Sequence, residues 1–250
     1  MERYIVFLDI DGTVYCHGEI VPQNRIAIRK AQAAGHKVFI NTARSLADIP
    51  PKILDAHWDG IVAGIGCTVL AEGQKLRSVA IPTPQIAQVF DDLTAREIPL
   101  MLEGEQVLLC NRFYPDQNHA VPLQSGADIL RHYAGHVLAK AFLPTVLPPE
   151  MQTSLSAQFQ LYQHRTYAEF SAKGHNKATG MRCVLDFYGV DRTHCIAMGD
   201  SVNDLEMLRY AGVAVAMGDA GEAVKQACTL VTGNADAGGV AQALKRLLHL

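Results

Sequence analysis

Short apolar runs alternate with amphipathic stretches through the first third of the chain. Tyr4–Leu8 is continuously apolar, the pattern of a strand buried on both faces. Residues 22–34 carry apolar or small side chains at Ile26, Ala27, Ala31 and Ala34, which predicts a helix. Pro22 suits its first turn and Gly35 its C-terminal cap. Lys37–Asn41 is the next strand, and Pro50-Pro51 interrupts or restarts the helix after it. Gly60–Ala63 is a third strand. Thr68–Leu70 and Leu76–Ile81 flank Glu72-Gly73 as a hairpin.

The composition shifts at Pro82-Thr83-Pro84. From there to about Ala172 the pattern gives a helix (Gln85–Arg96), strands (Leu100–Leu102, Val107–Cys110), turn clusters and further helix and strand candidates, punctuated by Pro144 and Pro148-Pro149. After Lys173-Gly174 the alternation resumes: helix Lys177–Phe187, strand His194–Met198, a helix opening at Gly199-Asp200 and running to Tyr210, strand Val213–Met217, helix Gly221–Ala227, strand Thr229–Val231 and helix Gly239–Leu248. The fold class is therefore α/β. A doubly wound, Rossmann-like parallel sheet is built from both ends of the chain and split by an inserted α+β domain. The expected division is a core of residues 1–81 and 173–250 and an insertion of residues 82–172.

Composition narrows the partners. The chain has 250 residues, 49% of them hydrophobic and 19% charged, enough for one large domain or a domain with a sizeable insertion. A formal charge of −3 gives no field of one sign, which argues against nucleic acid or an anionic membrane as the main partner. The six cysteines (Cys16, Cys67, Cys110, Cys183, Cys195, Cys228) form no Cys-x-x-Cys pair, and the ten histidines show no metal-ligand spacing. They point to a reduced interior, and with no signal-peptide region or membrane-length span the expected location is cytoplasmic. Oligomeric state is not legible at this level.

The chemistry begins where the first strand ends, at Asp9-Ile10-Asp11-Gly12-Thr13. Two carboxylates and a glycine turn stand at the carboxyl edge of the sheet, where open α/β sheets bind ligands. At ~4 Å and an effective dielectric near 20, two such charges repel by about 4 kcal/mol, which a cation or a reaction would use. Thr42 ends the Lys37–Asn41 strand. Its hydroxyl and nearby N–H groups could hold a phosphate oxygen, although alone it is more simply a turn or N-cap threonine. Lys177, in Gly174-His175-Asn176-Lys177, starts a helix where the dipole disfavours a cation, so an anion or carboxylate in front of it is expected. Lys173 competes for that role, and a solvated lysine is as plausible. Gly199-Asp200-Ser201-Val202-Asn203-Asp204 repeats the strand–glycine–acid pattern, with Asp200 and Asp204 on one face if the helix has begun. An acidic first turn is also ordinary helix electrostatics. Hard oxygen ligands of this kind suit Mg²⁺.

The order Asp-x-Asp-Gly-Thr, Thr, Lys, Gly-Asp-Ser-x-Asn-Asp resembles the haloacid dehalogenase superfamily. Tyr167-Ala168-Glu169-Phe170, Asn203–Leu208, Val215–Ala220 and Asn234 before Gly238-Gly239-Val240 resemble its Cof-type sugar-phosphate phosphatases. The motifs cover both ends of the chain; the insertion matches in position and size.

The resemblance implies a Mg²⁺-dependent phosphomonoester hydrolase acting on small phosphorylated metabolites such as sugar phosphates. Asp9 is the implied nucleophile, forming an aspartyl-phosphate. Asp11 is the implied acid and then base. Mg²⁺ would bind the Asp9 and Asp200 carboxylates and the Asp11 backbone carbonyl, with Asp204 orienting metal-bound water from behind. Thr42, Lys177 and Asn203 would hold phosphoryl oxygens, aided by backbone groups at Ile10, Gly12 and Ala43. Arg44 is offered as a substrate contact or an exposed structural arginine. Cap residues such as Arg112, His119, His164 and Arg165 are substrate contacts or solvated surface. The insertion would be a mobile cap that selects the leaving group. Two positions depart from the family pattern: Ala43 replaces a glycine, and Gly64-Ile65-Gly66 replaces an Asn-Gly. Two other readings stay open, a phosphotransferase or mutase and a catalytically silent phosphate-binding module.

Overall fold

A computed structural model describes residues 2–112 and 119–250. The chain divides into two compact units. One comprises Met1–Ala43, Pro50–Leu76 and Asn176–Leu250, the other Arg44–Ile49 and Arg77–His175.

The first unit is organised by an eight-stranded sheet. Its order is Leu230–Val231, Val213–Ala216, Cys195–Gly199, Ile5–Leu8, Lys37–Asn41, Gly60–Ala63, Thr68–Ala71 and Gln74–Ser78. The first six strands run parallel, and Thr68–Ala71 turns back against Gly60–Ala63. Val6, Phe7 and Leu8 are fully buried, as a continuously apolar strand between two helical layers requires. The chain runs outward from Ile5–Leu8 first to one side and later to the other. The order therefore reverses between Ile5–Leu8 and Cys195–Gly199, the place where open parallel sheets form a crevice. Leu8 lies beside Ile40 on one side and Met198 on the other. This register brings the residues that follow, at 9–12, 42 and 200, to one edge.

The helix Pro22–Ala33 packs on Gly239–Leu248. Its buried stripe is Asn24, Ala27, Ile28 and Ala31, so Ile26 from the apolar pattern is instead 57% exposed. The 3.6-residue period selects the polar Asn24 because its Oδ1 accepts the Ala241 N–H at 2.9 Å. A two-stranded ribbon, Tyr15–Cys16 with Glu19–Ile20, follows the Asp9–Thr13 turn.

The loop Gly64-Ile65-Gly66 is left-handed at all three residues. The Ile65 N–H donates to Thr42 O at 3.2 Å, tying this loop to the end of the Lys37–Asn41 strand. A Cβ on Gly66 would come within 2.1 Å of the Asn176 carbonyl oxygen, so only glycine lets the start of the helix Lys177–Tyr188 sit here.

The second unit holds a six-stranded sheet, ordered Val121–Pro122, Leu108–Cys110, Met101–Gly104, Leu138–Leu143, Ala168–Ala172 and Phe159–Gln163. It carries the helices Thr83–Ala95, Gly126–His132 and Pro149–Gln158. The segment Arg44–Ile49 belongs to this unit because Ala47 packs with Met101, Leu108, Cys110 and Ala120.

Gly66→Ala is expected to cost about 2–4 kcal/mol, combining left-handed strain with overpacking. A thermal melt should read this as a fall of roughly 5–15 °C in Tm.

Candidate functional site

Asp9 extends the first strand by one residue, its N–H donating to Met198 O at 3.0 Å. The chain then folds sharply, with the Thr13, Val14 and Tyr15 N–H groups all reaching Ile10 O. Gly12 sits at φ +76°, and a Cβ there would lie 2.6 Å from Asp200 Oδ2. That glycine therefore serves both the turn and the close approach of the Asp200 carboxylate. Thr13 is fully buried and donates through Oγ1 to Asp200 Oδ1 at 3.3 Å. Asp11 is exposed.

The expected helix from Gly199-Asp200 starts later. Asp200 and Ser201 precede a 3-10 turn at Val202–Asp204, and the α-helix covers Leu205–Tyr210. Asp204 reaches back instead of sharing a helix face with Asp200. Its Oδ2 accepts the Asp200 and Ser201 N–H groups, each at 3.0 Å, while Ser201 Oγ donates to Asn203 Oδ1 at 2.7 Å. Ser201 and Asp204 form a capping box, and this local competition for backbone N–H groups delays the helix.

Lys177 is the first residue of its helix. Asn176 caps that helix by accepting the Thr179 N–H at 2.9 Å, and Asn41 Nδ2 donates to the Lys177 carbonyl at 3.2 Å. The ammonium is fully buried and lies 2.7 Å from Asp9 Oδ1 and 2.5 Å from Asp204 Oδ1. The carboxylates expected in front of this lysine are these two. Lys173 is elsewhere, on the Ala157 carbonyl in the second unit. Thr42 is buried, and its N–H donates to Val62 O at 2.9 Å.

Oxygens of Asp9, Asp200 and Asp204 lie within 4.8 Å of one another and could hold a metal ion. Asp204 is already committed through both oxygens, to Lys177 and to two backbone N–H groups. That leaves Asp9 and Asp200 as the carboxylates of this group that could donate to an ion directly. Three carboxylates against one ammonium leave two negative charges uncompensated within this group. Burial first, and Asp204 second, push Asp9 well above the ordinary carboxylate range, with Lys177 pulling it back. The same two causes, in the same order, raise Asp200 to about 7. For Lys177 burial opposes the charge, but Asp204 and Asp9 outweigh it and hold the ammonium above the usual lysine range. This is a site that favours a hard cation.

Asp9, Lys177, Asp200 and Asp204 converge as the motifs suggest, and Gly12, Thr42 and Asn203 belong to the same unit. Arg44 falls in the other unit, its guanidinium donating to Asp48 Oδ2 at 2.9 Å. Thr13, Asn41 and Ser201 had no role assigned from sequence. Each is a polar residue just past an apolar strand run, and that position is the signal that singles them out.

A family model described as haloacid dehalogenase-like hydrolase matches residues 6–244. The 5-amino-6-(5-phospho-D-ribitylamino)uracil phosphatase YitU of Bacillus subtilis (strain 168) is 40% identical over 267 residues, spanning 99% of this chain and 98% of its own. Among solved structures, the haloalkanoate-superfamily phosphatase BT1666 of Bacteroides thetaiotaomicron is 26% identical with a TM-score of 0.84, covering 99% of this chain and 96% of its own. The subclass IIB sugar phosphatase BT4131, at 23% identity, TM-score 0.84 and coverage of 99% and 100%, shares the fold.

Removing the ammonium with Lys177→Met leaves Asp9 and Asp204 buried without their counter-charge. A destabilisation of about 3–5 kcal/mol is expected in denaturant unfolding. The acids also set a pH dependence. Asp200 protonates near pH 7 in the folded chain and near 4 when unfolded. Between those values the folded state binds more protons, so the metal-free protein should lose stability as pH rises from about 4 to 7. A divalent cation should restore it above pH 7, and melts across pH with and without chelator measure both effects.

Proposed function

Because this chain belongs to the haloacid dehalogenase-like hydrolases, among the Cof-type phosphatases, we propose that it hydrolyses small phosphate monoesters through a phosphorylated Asp9, with Mg²⁺ as cofactor. The observation that carries this reading is the buried Lys177 ammonium gripping Asp9 Oδ1 at 2.7 Å beside Asp200 and Asp204. An attacking carboxylate must be ionised, and burial works against that. Lys177 opposes the penalty on one side. A divalent cation held by Asp9 and Asp200 would oppose it on the other, and when bound it neutralises phosphoryl oxygens as well.

The covalent steps then balance on this chain's own residues. An Asp9 carboxylate oxygen attacks phosphorus as the ester P–O bond breaks, and Asp11 gives its proton to the departing alkoxide. Asp11, now a carboxylate, takes a proton from water. That water attacks phosphorus, the bond to Asp9 breaks, and inorganic phosphate leaves. The exposure of Asp11 supports a role in proton exchange with solvent. Lys177, Thr42 and Asn203 hold phosphoryl oxygens, and Asp204 fixes Lys177 and the Asp200 backbone. The inserted unit selects the leaving alcohol. YitU acts on a phosphorylated ribitylamino-uracil by its name, and BT4131 on a sugar phosphate. Phosphorylated sugars and polyols, with or without an attached ring, are accordingly the substrate class proposed here. Ala43 adjoins Thr42 and offers its backbone, whereas the Arg44 guanidinium is engaged by Asp48.

Phosphate release from a panel of such esters should require Mg²⁺ and disappear in chelator. Asp9→Asn should lower kcat by roughly 10³-fold or more. Turnover by that variant near the wild-type rate would refute the nucleophile assignment.

A further inference from the structure

Arg44–Ile49 follows the candidate phosphate ligand Thr42 almost directly, yet it belongs to the second unit, whereas Thr42 and Ala43 belong to the first. Two contacts hold the segment to its unit, and an internal ion pair closes the segment on itself. Ala47 packs with Met101, Leu108, Cys110 and Ala120. Within the segment, Arg44 donates to the Asp48 carbonyl at 3.1 Å and to its carboxylate. The Ser45 N–H donates to Glu103 Oε2 at 3.3 Å.

That last acceptor ends a buried chain of charge. Glu103 stands directly across from Lys140 on the neighbouring strand. Lys140 Nζ lies 3.2 Å from Glu103 Oε1 and 2.9 Å from Glu169 Oε2, and Glu169 Oε1 lies 3.2 Å from His164 Nε2. The Glu103, Lys140 and Glu169 side chains are only 3–4% exposed. A buried Glu–Lys–Glu arrangement gains little stability over apolar residues of similar size, so its use lies in what it holds in place. At one end that is a backbone N–H three positions beyond Thr42.

We propose that Glu103 is a positioning residue for the phosphate-binding loop, fixing the backbone at Ser45 and, through Arg44 and Ala43, the hydroxyl and backbone of Thr42. This inference rests on the reading of Thr42 as a phosphate ligand. Acting through that loop, Glu103 should influence the group common to all substrates, the phosphate, rather than any one leaving alcohol.

Two variants break the same hydrogen bond from opposite sides. Glu103→Gln removes the charged acceptor. Ser45→Pro removes the donor and leaves the charge chain intact, and Ser45 already has φ −71°, a value proline adopts. Binding of inorganic phosphate in Mg²⁺ is measured by calorimetry, with KM and kcat for several esters alongside. Each variant should weaken phosphate binding by roughly 3- to 30-fold and raise KM for every ester by the same factor. kcat should change less, and the double variant should be no worse than the poorer single one. An ester-dependent change in KM with phosphate affinity intact would overturn the proposal, as would unchanged phosphate affinity in folded Ser45→Pro, or additive effects. Wild-type protein that binds phosphate but releases none from any ester would count against the proposed hydrolysis and leave this test standing, because phosphate affinity is its readout.

Discussion

The buried ammonium of Lys177 is the contact on which the site depends. It lies among Asp9, Asp200 and Asp204, and it occupies the first turn of a helix, where the backbone dipole works against it. Two carboxylates within hydrogen-bond distance outweigh both the dipole and the loss of water. The converse also holds. Without Lys177, Asp9 would sit desolvated beside like charges, at the end of a strand buried on both faces. The glycine at 12, the capping box at Ser201–Asp204 and the Asn176 cap all serve this packing.

One ammonium does not balance three carboxylates, and the remaining imbalance is what makes the cluster chemically useful. An acid held above its usual range by burial is a poor nucleophile until a cation lowers it again. On the proposed reading, catalysis and metal binding are thereby linked: a cation drawn by the uncompensated carboxylates would be the one that keeps Asp9 ionised. Asp204 illustrates the division of labour. Both its oxygens are engaged, one by the Lys177 ammonium and the other by the Asp200 and Ser201 N–H groups.

Much of this arrangement is legible in the chain because parallel strands announce themselves as apolar runs. Lys37–Asn41, Gly60–Ala63 and the helix Gly239–Leu248 fall where periodicity places them, and the acids follow the strands that bring them together. The differences have physical causes. Asp200 and Asp204 share a helix face only if the helix has begun at Asp200, and a serine and an aspartate competing for backbone N–H groups postpone it to Leu205. Ile26 belongs to the apolar pattern yet faces out, since Asn24 has a hydrogen-bond partner inside. Glu103, Lys140 and Glu169 stand on three separate strands, and nothing in their local sequence marks them as partners. Only long-range pairing between strands reveals them as a buried chain. The grouping of Arg44–Ile49 with residues some sixty positions away is likewise a tertiary fact, set by Ala47 and Glu103.

On the proposed reading, Asp9 becomes covalently phosphorylated while Lys177 and a cation hold it ionised. The most direct test is peptide mass spectrometry of protein quenched in acid during turnover of a phosphate ester with Mg²⁺. The peptide carrying Asp9 should gain the mass of one phosphoryl group, and the gain should be absent when Mg²⁺ is chelated. Steady turnover with no acid-stable acyl-phosphate at Asp9, or with the phosphoryl group on another residue, would contradict it.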